Sequence, residues 1–232
     1  VQQPWSKVLL RANSTTTNDK VARADLDALF TKVMADDKYN ERGFFAPGEE
    51  ARTCLEDQVW AQYGYIEYEG IATMLDSLQL TQEDVFYDLG SGIGNVCAQV
   101  FLNSPVRAVK GIEFIPSRHE TAVCASQELK RQFPQHFIGG RVLQFECDNL
   151  LNHRFEQASV IFMCSWCFDD PLLEYIGKCA ADNLQLKYLI SLRPIPSGVG
   201  GLPLWKTIPI KVDFTPDLLP AYIYLGKAAP PV

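Results

Sequence analysis

Basic residues are in short supply. Against 28 Asp and Glu stand 21 Lys and Arg, a net charge of −7, which argues against a broad basic face for gripping nucleic acid. Long apolar runs are missing as well. No stretch of about 18 apolar residues occurs, the length a membrane-spanning helix needs, so no membrane partner is expected. The N-terminal VQQPWSKVLL lacks the charged-then-apolar order of a secretory signal and has no initiator Met, as expected of an excised fragment. Histidine is scarce: His119, His136 and His153 read as ordinary surface or helix residues. Cysteine is present but odd in number, at positions 54, 97, 124, 147, 164, 167 and 179. Most lie inside apolar runs, which points to reduced thiols of an intracellular protein and away from a disulfide framework. Internal repeats and low-complexity tracts are absent.

What is present is an alternation. Residues 11–20 are a polar loop, after which Val21, Leu26, Leu29, Phe30 and Val33 keep helical spacing over about four turns. A Gly/Pro-punctuated connection runs through NERGFFAPGEEARTCLED into a short helix, and Ile71 to Leu80 resumes the helical rhythm. From Val85, short apolar β-rich runs alternate with helical stretches: VFYDLG, NVCAQVFLN, AVKGIEF, SRHETAVCASQELKRQF, RVLQFECDN, SVIFMCS, PLLEYIGKCAADN and KYLISLRPI. That order predicts right-handed crossovers and a mostly parallel sheet. IPIKVDF and AYIYLGK leave no room for a helix between them, so they are expected as an antiparallel pair at the sheet edge. The expected organisation is a helical N-terminal segment over 1–70 and an α/β domain over 71–232.

The most informative stretch is Asp88-Leu-Gly90-Ser91-Gly92-Ile-Gly94-Asn95, which follows an apolar strand and opens a helix. Glycines there permit positive φ and close approach of a ligand to the backbone. The helix N-terminus presents free N–H groups to an anion. The spacing is G-x-G-x-G led by an acid, not the G-x-G-x-x-G of dinucleotide sites. Glu113 ends the second strand, where a carboxylate accepts both hydroxyls of a ribose; Asp148, with Asn149 beside it, ends the third, facing an adenine amino group. Three acids on one rim, together with the paired C-terminal strands, favour S-adenosylmethionine as cofactor and a Rossmann-like class I methyltransferase sheet. Asp88 is then expected at the methionine amine.

Cys164-x-x-Cys167 raises a rival reading. Redox pairs of that spacing open a helix, where the thiolate is stabilised, whereas this pair ends a strand and Pro171 delays the helix. For zinc, Cys147 and His153 are the nearest further ligands, and the spacing matches no standard site. No metal is expected. The pair belongs to the methyl-transfer region by position.

Taken together these residues resemble the disruptor-of-telomeric-silencing class of histone H3 lysine methyltransferases, which lack a SET domain. The resemblance runs from about Tyr63 to Leu225. It is carried by Tyr63-Gly64 ahead of a helix ending in Met74-Leu75-Asp76, by DVFYDLGSGIGNV, by GIE at 111–113, by SVIFMCSWCF at 159–168, by SLRP at 191–194 and by AYIYL. It implies that Asp88, Gly90, Gly92 and Asn95 hold the methionine part, that Glu113 and Asp148 bind ribose and adenine, and that Tyr63 sits on a loop covering the cofactor. It implies Trp166, Phe168 and one of Tyr222 and Tyr224 along a lysine channel. The family's Asn-Asn-Phe after the fourth strand is here Cys164-Ser165-Trp166, a thiol in place of an amide. The family's lysine-rich DNA-gripping flank has no counterpart.

The resemblance implies a nuclear enzyme acting on histone H3 in nucleosomes, with DNA contact weak or made by missing segments. Two alternatives stay open: a non-catalytic module that binds S-adenosylmethionine in chromatin, and a methyltransferase of the same fold acting on another protein or a small molecule. A wide cleft would favour the last, a narrow aromatic channel the first reading.

Overall fold

The structure, a computed structural model, describes residues 20–35, 64–196 and 200–231. The connection over 40–57 with the short helix it is expected to run into, and Tyr63, lie outside the described residues. Five helices and seven strands are described: α1 (Arg23–Met34), α2 (Tyr68–Asp76), β1 (Val85–Leu89), α3 (Asn95–Asn103), β2 (Ala108–Glu113), α4 (Pro116–Gln132), β3 (Val142–Cys147), β4 (Val160–Met163), α5 (Asp170–Asp182), β5 (Tyr188–Ser191), β6 (Leu204–Ile210) and β7 (Leu219–Leu225). The strand order is β3-β2-β1-β4-β5-β7-β6. β3 through β5 pair in parallel, and β7 runs antiparallel to both β5 and β6. This is the mixed sheet the alternation predicts. β6 differs in extent: it begins at Leu204 and ends at Ile210, earlier than IPIKVDF suggests. Val212 instead makes an isolated bridge to Ile66.

The all-apolar strands form because both faces of a parallel sheet are covered. In β1 Phe86 enters one core, with α1 to α4, while Val85, Tyr87 and Leu89 enter the other, against α5. β7 divides by the same two-residue period: Ala221 and Ile223 face the first core, Tyr222 and Tyr224 the second. Helix α1 is a little over three turns and buries Leu26 and Leu29 in the first core. Asn103 of α3 ties its start, accepting from Val21 N at 2.7 Å and donating back to Val21 O at 3.2 Å. The expected division at residue 70 falls inside α2.

The two ends of the sheet are built differently. At the N-terminal end of β1, Asp84 is 1% exposed and meets Lys187 Nζ at 2.8 Å. Burial alone would raise its carboxyl, but donation from Lys187, Ser159 and Thr81 outweighs that and holds it below the ordinary range. At the C-terminal end the strands stop at glycines and acids, and a cavity opens there.

Candidate active site

The turn after β1 is held by backbone bonds to β2: Gly90 N and Ser91 N both donate to Ile112 O, at 2.9 and 3.0 Å. Gly90, Gly92 and Gly94 take positive φ of 78°, 53° and 89°, conformations that cost an L side chain. Gly94 caps α3, and a Cβ there would meet the Phe145 ring at 2.8 Å. Its place is therefore against β3, and it does not line the cavity. At Gly90 a Cβ would meet the Phe168 ring at 3.1 Å, so this glycine lets an aromatic residue close over the turn.

Glu113, 6% exposed, binds the turn from below. Its Oε2 accepts from Gly92 N at 2.7 Å and its Oε1 from Ile115 N at 2.9 Å. Each oxygen keeps a lone pair for a ligand hydroxyl. Asp88 is 2% exposed and accepts from the Cys97 thiol at 3.4 Å. Burial pushes its carboxyl up to about 7, the Cys97 thiol works against that rise, and the Glu113 charge adds to it.

A cavity of about 550 Å³ begins at this turn, with Asp88, Gly90, Ser91, Gly92, Asn95 and Glu113 in its wall. Two of these wall residues carry side-chain atoms, Ser91 Oγ and Asn95 Oδ1, that are buried without a hydrogen-bond partner. Orphaned buried polar atoms are costly, which sets this turn apart from an ordinary strand-to-helix connection. The acids at the strand ends, the free N–H groups opening α3 and these two atoms fit an amino-acid and nucleoside ligand of the S-adenosyl type. Asn149, Leu150 and Leu151 line the far end. Asp148 is not in the wall. Its Oδ1 accepts from Asn149 N and Asn152 Nδ2, both at 2.7 Å, and its Oδ2 meets His153 Nε2 at 3.0 Å. These partners, Asn152 foremost and Asn149 next, lower its carboxyl from the ordinary range. Asn149 therefore reaches the cavity while the neighbouring acid braces the loop. Glu146, Asp148 and His153 place ligand atoms within 4.8 Å of one another; none of the cysteines weighed for zinc joins them.

The opposite end of the cavity is aromatic. Trp166 and Phe214 line it, with ring centroids 6.2 Å apart at 41°, while Phe168, also in the wall, lies over the glycine turn. Trp166 is 49% and Phe214 39% exposed, so they form a mouth and not a core contact. Cys164 and Cys167 lie in the wall between mouth and turn. None of the six described cysteines is in a disulfide. The Cys164 Sγ donates to Gly64 O at 3.9 Å. Burial, then the charges of Asp88, Cys167 and Asp213, push its thiol well up, so it stays protonated.

Three expected residues are placed elsewhere. Ser165 is fully buried, shares a 2.6 Å hydroxyl contact with Ser191 and accepts from Arg193 N at 3.0 Å. It anchors the turn after β4 and does not reach the cavity. Arg193 helps, donating to the Phe168 carbonyl and to Asp170 Oδ1 at 2.7 Å. Tyr222 and Tyr224 point into the core on the α5 side, with the Tyr224 hydroxyl accepting from Ile195 N at 3.0 Å. The two-residue period of β7 turns both rings the same way, away from the cavity. The C-terminal aromatic of the mouth is Phe214 instead, in the loop between β6 and β7.

Sequence reasoning did not single out Phe214, Tyr65, Arg118 or Cys97. A signal existed for Arg118, which sits in the first turn of α4 just past Glu113; it is buried and lines the cavity. Phe214 gave none, because its place depends on a long-range clasp. Tyr65 N donates to Asp213 Oδ1 at 2.8 Å, Asp213 N to Tyr65 O at 3.1 Å, and Glu67 N to Lys211 O at 3.1 Å. The bare Cα of Gly64 accommodates the Phe214 ring, 2.5 Å from where a Cβ would stand.

Comparison with known proteins agrees with this architecture. The family described as "Histone methylation protein DOT1" matches residues 57–198. A histone-lysine N-methyltransferase described as H3 lysine-79 specific, from Cryptococcus neoformans, is 24% identical over 143 residues, 59% of this chain and 22% of its own length. One from Caenorhabditis elegans is 32% identical over 135 residues, 53% of this chain and 14% of its own. The chain thus spans under a quarter of these relatives. Among solved structures, an RNA methyltransferase from Salinibacter ruber in complex with S-adenosyl-L-homocysteine has a TM-score of 0.50 at 17% identity. It covers 72% of this chain and 97% of its own. The pyocyanin biosynthetic protein PhzM reaches 0.51 at 10% identity, covering 67% of this chain and 54% of its own. These likenesses are of fold, and the fold is that of class I methyltransferases.

Proposed function

We propose that this chain, which belongs to the histone methylation protein DOT1 family, is the catalytic domain of a nuclear S-adenosylmethionine-dependent histone-lysine methyltransferase acting on histone H3 in nucleosomes. The observation that carries the reading is the continuity of one cavity from the glycine turn to the aromatic mouth. A cofactor site and a substrate opening are thereby joined in one space.

Bound there, S-adenosylmethionine would supply an electrophilic methyl group. Asp88 would accept from its ammonium, the α3 N-terminus that Asn95 opens would face its carboxylate, and Glu113 would accept from its ribose hydroxyls. Asn149, Leu150 and Leu151 would surround the adenine end. On the substrate side the protein must deliver a neutral amine. Only about one lysine in a thousand is neutral at pH 7.4, a deficit of about 4 kcal/mol. Trp166 and Phe214 would narrow the opening, with Phe168 deeper over the turn, and together remove water from the amine, which lowers its pKa. Cys164 is no base, because its thiol is pushed up and stays protonated. Deprotonation is left to desolvation and to bulk water. The acidic balance of the chain, −7, fits engagement through histone surface, with DNA held weakly or by segments outside this chain.

The test is transfer of labelled methyl from S-adenosylmethionine to reconstituted nucleosomes, free H3 and no substrate. Label on nucleosomal H3 is expected. Binding of S-adenosylhomocysteine without transfer to any histone would overturn the enzymatic reading; no binding would overturn the cofactor.

A further inference from the structure

Asp88 has an unusual neighbour. Cys97, the third residue of α3, is fully buried, and its thiol donates to Asp88 Oδ2. The titratable groups that bear on Asp88 come from three elements: Cys97 on α3, Glu113 at the end of β2 and Cys164 after β4. Arg118 on α4 shares the cavity wall, but among the described residues no lysine or arginine forms an ion pair with Asp88. Among the described residues a thiol is the one side-chain donor to this carboxyl, which is buried beside a second carboxylate and so poorly ionised until a cation arrives.

Resting on the S-adenosyl reading of the cavity, we propose that Cys97 is a positioning residue for Asp88, and that binding of the ligand's ammonium expels a proton from this acid. The thiol occupies one carboxylate oxygen and helps keep the other turned to the cavity. When the ligand binds, the Asp88 proton leaves to solvent and an ammonium N–H takes its place. The site therefore discriminates by charge: it favours ligands that bring a cation to this corner, and does so more strongly as pH rises. The sign follows from linkage. The free acid is held up near 7, so below that pH the ligand must displace a proton, and above it the carboxylate waits ready.

The experiment is calorimetric titration of the chain with S-adenosylhomocysteine between pH 6 and 8.5, each point in two buffers of different ionisation enthalpy. About tenfold weaker binding is expected at pH 6 than at pH 8, with release of about three-quarters of a proton at pH 6.5. 5′-Methylthioadenosine, which lacks the amino-acid moiety, should bind without this break. Cys97→Ala and the shape-conserving Cys97→Val remove the donor and should move the break to higher pH. Cys97→Ser restores a donor and should return it. A flat profile for S-adenosylhomocysteine overturns the proton linkage while the cofactor reading survives. The same break with 5′-methylthioadenosine overturns it too, by placing the proton on another group. A break unmoved in both Cys97→Ala and Cys97→Val overturns the positioning role. No binding at any pH overturns the cofactor reading and this proposal with it.

Discussion

The two ends of the cavity are made in contrasting ways. The nucleoside end is continuous in sequence: one strand, one turn and one helix supply Asp88 to Cys97, and Glu113 arrives from the adjacent strand by direct β pairing. Its parts are joined by bonds of 2.7 to 3.0 Å from backbone N–H groups to the Ile112 carbonyl and the Glu113 carboxylate. The substrate end is assembled from three distant segments, 64–66, 164–168 and 213–214, meeting through side chains and a single bridge. On the proposed reading, the first half holds the cofactor and the second, assembled from distant segments, admits the substrate. Damage to the first should abolish binding; damage to the second should spare binding and slow transfer.

The largest effect is expected from Glu113→Gln. An amide cannot accept from Gly92 N and Ile115 N at once, so one buried donor is orphaned and one ligand contact is lost. At about 1.5–3 kcal/mol for a bond to a charged group, affinity for S-adenosylhomocysteine should fall about a hundredfold in calorimetry. Affinity within threefold of the parent would break the contrast, since the first half would then not depend on its anchor.

Next comes Trp166→Ala. The ring is half exposed and touches Phe214 but none of the groups on the turn. Methyl transfer to nucleosomes should drop about tenfold, in line with about 1–1.5 kcal/mol for an aromatic pair. S-Adenosylhomocysteine affinity should stay unchanged. Equal losses in both measurements would show the two halves to be one unit.

The contrast also explains what could be read from sequence. The fold was legible because alternating apolar runs encode a parallel sheet locally, and α3 begins and ends where its text does, at Asn95 and Asn103. The glycine turn was legible for the same reason: strand, turn and helix are neighbours along the chain. Asp148 misled in detail, because an acid at a strand end can equally brace its own loop, as its bonds to Asn149, Asn152 and His153 show. The mouth was legible only in part. Trp166 and Phe168 follow a strand and so reach the rim, but β7 offers two tyrosines at even spacing and both turn to the far core. Phe214 replaces them, and its position rests on Gly64, about 150 residues earlier in the chain. No local pattern encodes a contact of that separation.

Ser165→Ala tests how the second half is held. The substitution removes one partner each from Ser191 Oγ and Arg193 N, which still meet each other at 3.3 Å. A loss of about 1 kcal/mol is expected in denaturant unfolding. Transfer per folded molecule should remain within about twofold, because the hydroxyl does not face the cavity. A large kinetic loss at unchanged stability would return Ser165 to the chemistry.

The smallest effects should come from the tyrosines, and they sharpen the comparison most. Tyr222→Phe removes a hydroxyl from a ring that lies in the α5-side core, so stability should change by less than about 0.5 kcal/mol. Tyr224→Phe deprives Ile195 N of its acceptor and should cost about 1 kcal/mol. Neither should alter transfer to nucleosomes by more than about twofold, whereas Phe214→Leu, at the mouth, should slow it severalfold at unchanged affinity for S-adenosylhomocysteine. The two tyrosine substitutions remove hydroxyls from core-facing rings, and Phe214→Leu removes a ring at the mouth of the cavity. If Tyr222→Phe slowed transfer and Phe214→Leu did not, the last strand would have to rotate by one residue when substrate binds. The period of two in β7 would carry Ala221 and Ile223 out of the core along with it, and that cost is what makes the Phe214 arrangement the one to expect.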